Sequence, residues 1–347
     1  MKIKVNETPI RTSRNFKINN VTIEAPEIKK PISEFENVEI STVSSNYDEK
    51  ISNTSLTYGI GKEQEKQINE LANHKFHIET SKKEEIRITY TFDDENRYLI
   101  NNLEFDLNKN ANIIIEYRNN TDLECYHNGK IKINANKDSK INVTIINFLN
   151  TLSTNLESIE NEIQDNANIQ YSIIDIGGKY SISNYYSNLV GEKSKNNVKT
   201  IYLGVKEQVK DLNYIVEARG KNTSIKMDLQ GALKDKSTKS FKGTIDFKKG
   251  SKKSKGSENE SCMLLSDDAR SIALPMLLCT EEDVDGEHST SSGKADEKEL
   301  FYIMSRGLSK NEAIKLIVKA KFYNLIEKIS NEELKQEVIN EIDRRLD

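Results

Sequence analysis

The chain of 347 residues contains no tryptophan, four prolines, three cysteines and four histidines. An odd cysteine count in a chain this long does not build a disulfide framework. Few prolines and 15 glycines argue against a disordered linker protein. No apolar run approaches the roughly 18 residues that span a bilayer. The opening MKIKVNETPIRTSRNF has no apolar signal-peptide core, so a cytoplasmic protein with reduced thiols is expected. Net charge is −4, which excludes a basic field for nucleic acid. Hydrophobic residues make up only 35% and charged residues 31%, a balance that suits an elongated body better than a compact globule. Gly-x-Ser-x-Gly, His-Glu-x-x-His and Walker signatures are missing too, and Gly59-Ile60-Gly61-Lys62 lacks the ending of a P-loop, so it reads as a turn before a helix.

What the sequence has is a period of two. Ile86, Ile88, Tyr90 and Phe92 alternate with polar residues, as do Leu103, Phe105 and Leu107, and Ile141, Val143 and Ile145. A polar turn followed by a small residue and an isoleucine recurs at Ile113, Ile141 and Ile169, 28 residues apart. Ile225 falls two periods further on, with Val198 one residue late between them. A fixed spacing of strand and turn predicts stacked coils. The expected fold is mainly β: a parallel, right-handed β-helix over 86–290, a small mixed α/β region over 1–85 and a C-terminal helical domain over 291–347. An antiparallel sandwich would give no reason for the spacing.

Val284 to His288 is expected to end the strand section, with Ser289-Thr290-Ser291-Ser292-Gly293 as a flexible polar bridge. Asp296 with Glu299, Ser309 with Glu312, and Ser330 with Glu333 each read as a capping box, and Gly307 as a left-handed stop. Ile314, Ile317, Val318, Leu325 and Ile326 make a stripe with Phe322 at its edge, and Leu334, Val338 and Ile342 recur every four residues. Such helices would cap the last coil's open edge or dock a partner. Removing everything after Gly293 is expected to leave the solenoid folded.

Leu264-Leu265-Ser266-Asp267, Pro275, Gly286-Glu287-His288, Gly293-Lys294 and Leu300-Phe301-Tyr302-Ile303-Met304-Ser305-Arg306-Gly307-Leu308 resemble the C-terminal part of the SufB/SufD family of iron–sulfur cluster assembly scaffolds. Phe241-Lys242-Gly243-Thr244-Ile245-Asp246-Phe247 resembles the family's other recurring stretch. The resemblance implies a non-catalytic subunit that pairs with a SufB-type scaffold through the last coils. It also implies a SufC-type ABC ATPase docked around Leu300, Phe301, Tyr302, Arg306 and Gly307. No intrinsic cofactor is implied, only a transient cluster at the subunit interface, near which the family's matching histidine lies; His288 is therefore the candidate metal ligand. Gly286 stands where many SufD-type relatives carry a cysteine, and Ser289 where SufB-type relatives carry a glutamate. The expectation is thus closer to SufD, with a SufB-type homodimeric scaffold as the alternative.

The remaining residues carry weaker signals. Cys262 and Cys279 are further candidates at the cluster interface, although apolar neighbours suggest that both are buried small hydrophobes. Cys125-Tyr126-His127 and His74-x-x-His77 have ligand-like spacings without the closure of a zinc site and read as surface features. Lys248, Lys249, Lys252, Lys253 and Lys255 read as a solvated turn. A polysaccharide-active β-helix enzyme is the rival from another class; it would be expected to carry aromatic-rich groove residues and an export signal.

Overall fold

A computed structural model describes residues 1–10, 18–43, 47–48, 51, 55–329 and 331–347. From His74 to Lys294 the chain winds as a flattened parallel solenoid of two sheets. One holds β4 (His74–Thr80), β6 (Tyr98–Leu107), β8 (Tyr126–Ala135), β10 (Thr154–Ile163), β12 (Tyr180–Leu189), β14 (Val209–Ala218), β16 (Thr238–Phe247) and β18 (Arg270–Cys279). The other holds β5 (Glu84–Phe92), β7 (Ala111–Asn119), β9 (Lys140–Asn147), β11 (Asn168–Asp175), β13 (Lys195–Gly204), β15 (Ser224–Leu233), β17 (Ser254–Leu264) and β19 (Val284–Lys294). The parallel ladder starts twelve residues before, and ends four after, the limits read from periodicity.

The alternating apolar residues fill the lumen: Ile86, Ile88, Tyr90, Phe92, Leu103, Phe105, Leu107, Ile141, Val143 and Ile145 are all buried in one cluster. The constant 28-residue spacing is only partly real. Ile141, Ile169 and Ile225 share one column, but Ala111, not Ile113, and Asn196, not Val198, are its other members. Hydrogen-bond register decides the column, and corners of different length absorb the surplus residues. Those corners share one device. Asp138, Asn166, Lys193, Asn222 and Lys253 are left-handed, with φ between 56 and 63°. Each donates its N–H to a carbonyl of the next coil's corner at 2.6–2.9 Å, a bond that offsets the cost of the conformation.

The two ends of the solenoid differ. At the first coil β3 (Val38–Thr42) pairs antiparallel with β5, Asp48 bridges to His77, and Phe35 and Tyr47 pack on Tyr90, Phe92 and Phe76. Among the described residues nothing corresponding covers β18 and β19, the last strands of their sheets. The flank formed by the even-numbered strands is covered by the hairpin of β1 (Lys2–Val5) and β2 (Val21–Glu24) and by α1 (Lys62–Leu71). There the buried Asn6 donates to Asp211 at 2.6 Å, beside the buried Lys242–Asp211 ion pair, also at 2.6 Å.

The C-terminal helices do not cap the open end. α3 (Lys310–Ile326) and α4 (Glu332–Leu346) fold back along the opposite flank. Val318, Phe322, Leu325, Ile326, Val338 and Ile342 bury against Ile146, Ile174, Ile201 and Leu203 there. Arg118 grips Glu337 with two bonds of 2.6 and 2.7 Å, and Arg345 donates to the carbonyls of Phe148 and Leu149. Phe322 is thus a central core residue rather than the edge of a stripe. A chain cut after Gly293 would expose this apolar flank, so the helices are not separable as expected. Ser309 and Glu312 form the anticipated capping box, and Gly307 is left-handed at φ 101°. Asp296 caps α2 (Glu297–Ser305) by accepting from the Lys298 N–H, without a reciprocal bond from Glu299. Ser330 lies outside the described residues; α4 is capped by Asn331.

Phe322→Ala should destabilise the chain by about 3–5 kcal/mol, because it opens a cavity between helix and sheet. Leu316→Ala, half exposed on the same helix, should stay within roughly 0.5 kcal/mol. Urea unfolding of both variants measures the difference.

Candidate functional site at the open end of the solenoid

β19 is one continuous strand through Lys294, so Ser289 to Gly293 is not a flexible bridge. It pairs along its whole length with β17. The buried positions of β17 include Gly256, Glu258, Glu260 and Cys262, which face the lumen. Their register partners Gly286, His288, Thr290 and Ser292 therefore face the lumen as well. No further coil covers them, so they lie open to solvent. Glu287 projects from the opposite side, as its alternation requires.

Beneath this open layer the lumen is charged. Glu260 accepts from the Lys239 ammonium at 2.8 Å and from the Tyr202 hydroxyl at 2.5 Å, with both ionic partners fully buried. Glu258 has no such cation. Its carboxylate leans over Gly243, where a side-chain carbon would lie 2.4 Å from it. Glu258 is 2% exposed, and its Oε1 has no hydrogen-bond partner among the described residues. Burial, and then the Glu260 charge, push its carboxyl group up to about 8.

The three sequence candidates do not converge. Cys262 is buried as expected, with its thiol pushed up by burial, but its register partner is Ser292. That is four residues, about 13 Å, along the strand from His288. Cys279 is exposed, contrary to expectation, because β18 belongs to the uncovered last coil; its Sγ donates to the Glu281 carbonyl at 3.3 Å. Among the described residues no three His, Cys, Asp or Glu side chains are grouped to hold a metal ion. Glu258 was missed because its neighbour lies 30 residues away, and only the register brings the two together. The available signal was a pair of acids at inward-facing positions of a strand.

The remaining ligand-like spacings are buried rather than superficial. His127 sits in the lumen between Asn155 (2.6 Å) and Asn101 (2.7 Å), and burial pushes its imidazole down to about 4. Cys125 is buried as well, and His74 meets the Tyr90 hydroxyl at 2.7 Å. His127, Asn155, Ser181, Lys210 and Lys239 are successive register partners, a polar column inside an otherwise apolar lumen. Lys210 pairs there with Asp175 at 2.9 Å. Beside the column, Glu157 lines a cavity of about 20 Å³, and neither of its oxygens has a hydrogen-bond partner among the described residues.

α2 presents the other set of candidates. Phe301 is 74% and Tyr302 59% exposed, with Met304 beside them. The Arg306 guanidinium lies 5.2 Å from the Tyr302 ring centre and donates to its hydroxyl at 3.1 Å. Leu300 is half-buried, and Gly307 ends the helix. Among the described residues no helix is long and apolar enough to cross a membrane.

Burial pushes Glu157 up to about 8, so the folded chain keeps its proton over a range where the unfolded chain has lost it. Its contribution to stability is therefore complete below about pH 4.3 and is lost as pH rises through about 8. Denaturant midpoints measured from pH 5 to 9 should fall, and Glu157→Gln should flatten part of that slope. An unchanged slope would assign the pH dependence to other groups.

A family profile described as "SUF system FeS cluster assembly, SufBD core domain" matches residues 69–321. The iron-sulfur cluster assembly protein SufD of Bacillus subtilis is 29% identical over 166 residues, 48% of this chain and 38% of that protein. SufBD family proteins of Staphylococcus saprophyticus and Staphylococcus epidermidis are each 26% identical over 193 residues, 55% of this chain and 41% of theirs. The match spans about two fifths of the length of these relatives. With the solenoid and its last coil inside the matched stretch, the chain belongs to the SufBD core family of SUF-system iron–sulfur cluster assembly proteins.

Proposed function

We propose that this chain is a non-catalytic, SufD-like subunit of a cytoplasmic iron–sulfur assembly complex, pairing with a SufB-type scaffold through its open end. The observation that carries this reading is the asymmetry of the solenoid, covered at its first coil and uncovered at β18 and β19. An edge strand of 11 residues with unpaired main-chain groups is a template for another strand, and soluble proteins rarely leave one so long unless it meets a partner. Pairing there would enclose the lumen face of the last coil, His288 included, between two subunits. The cluster under assembly is cargo held at that junction.

A SufC-type ABC ATPase docks on α2 in this reading. Aromatic side chains with an arginine beside them are residue types that dominate interface energetics. α2 has no buried residue, so it contributes little to the solenoid's own core. The neighbouring α3 and α4 are bonded to the flank and would carry the force of ATPase closure into the coils.

Two measurements test the reading. In Phe301→Ala/Tyr302→Ala the melting temperature should hold while co-purification of an ATPase falls at least tenfold; undiminished co-purification would move the dock elsewhere. His288→Ala should still assemble with the scaffold and keep its melting temperature, yet carry less iron and sulfide after anaerobic isolation. Full iron and sulfide in that complex would leave His288 a surface residue.

A further inference from the structure

We infer that Glu258 and His288, register partners on the lumen face of the last two strands of one sheet, form a two-ligand half-site for ferrous iron that donors from a paired subunit complete. The inference rests on the reading of the open end as a cluster-assembly interface and names the second ligand on this chain.

Four observations converge on the pair. Glu258 and His288 are directly opposed in the β17–β19 ladder, on strands about 4.8 Å apart, with both side chains on the same face. That spacing lets an imidazole and a carboxylate share one ion at metal–ligand distances near 2.1 Å. Among the described residues His288 has no hydrogen bond or ion pair to hold its ring elsewhere. Glu258 is the one of the two lumen acids on β17 without a cation, since Lys239 neutralises Glu260. A buried carboxylate oxygen without a donor is costly, and a metal ion arriving from the open side supplies the missing charge. Gly243 gives the carboxylate room to swing, because any side chain there would collide with it.

The chemistry selects the ion. One imidazole and one carboxylate are borderline-to-hard donors that suit ferrous iron, whereas a thiolate set would favour softer metals or a finished cluster. Cys262 lies two lumen-facing positions further along β17 and belongs to a different layer. Two ligands leave several coordination positions open, so binding by this chain alone is weak and exchangeable. A site that must hand its iron on requires that property. It also accounts for the departures at Gly286 and Ser289: the acidic partner of the histidine comes from the adjacent coil instead of from the same strand.

The test is an anaerobic titration of the isolated full-length chain with ferrous iron alone, read by calorimetry. Glu258→Gln and His288→Ala should each weaken binding at least tenfold, and the double variant should be no weaker than either single one. Glu287→Gln, next in sequence but on the opposite face, should bind as the parent does. Unchanged affinity in Glu258→Gln, or an equal loss in Glu287→Gln, would overturn the site. Should Glu258→Gln not fold, anomalous scattering from iron soaked into crystals of the parent chain decides directly. Density between the two side chains supports the pair, and density elsewhere or none overturns it. Because the titration uses no partner, iron bound at this pair without complex formation would defeat the scaffold reading alone, and a complex forming while the titration fails would defeat this site alone.

Discussion

The structure depends on the main-chain ladder between successive coils. Each strand from β6 to β17 donates and accepts on both sides, so the solenoid grows by repetition and has no internal reason to stop. An element that satisfies itself this way has only two places of unmet bonding, its first and its last coil. The first is closed by the chain itself, through the antiparallel β3 and the aromatic plug of Phe35 and Tyr47. The last is not. Function is expected where the ladder ends, because only there does the backbone still have bonds to make.

The same ladder sets what the lumen can hold. Side chains stack in columns one strand apart, and a polar residue in one coil therefore meets its neighbours from coils about 30 residues away. In the apolar columns this yields stacked isoleucines and tyrosines. In the column from His127 to Lys239 it yields buried amides, hydroxyls and ammonium groups, each needing a partner from an adjacent layer. Lys210 finds Asp175 and Lys239 finds Glu260. Well-packed apolar side chains would stabilise these layers as well or better, so stability alone does not explain why the charges are there.

Much of the fold was legible because it rests on short-range chemistry. Alternation of Ile86, Ile88, Tyr90 and Phe92 marks a strand with one face inward, and Ser309 with Glu312 marks a helix start. What could not be read depends on where distant segments land. Phe322 looked marginal because a helical stripe shows only its own geometry, not the flank it will meet. Cys279 looked buried because Met276, Leu277 and Leu278 are apolar, but burial in a solenoid requires a following coil. Ile113 fitted the period by coincidence: the corner between β7 and β9 is longer than the one between β9 and β11, so Ala111 takes the place in the column.

The candidate site illustrates the same limit from the functional side. His288 stood out in the sequence by type and by resemblance, yet the strand that carries it offers no adjacent carboxylate on the same face. Its neighbour across the ladder does. An imidazole open to solvent above a buried carboxylate that lacks a counter-ion is an unfinished coordination sphere, and the coil that would have finished it is missing from this chain. A second subunit placing its own last coil there would continue the ladder and fill the sphere in one step. Strand pairing and metal capture are then coupled, since the geometry that extends the sheet is the geometry that brings further donors over His288.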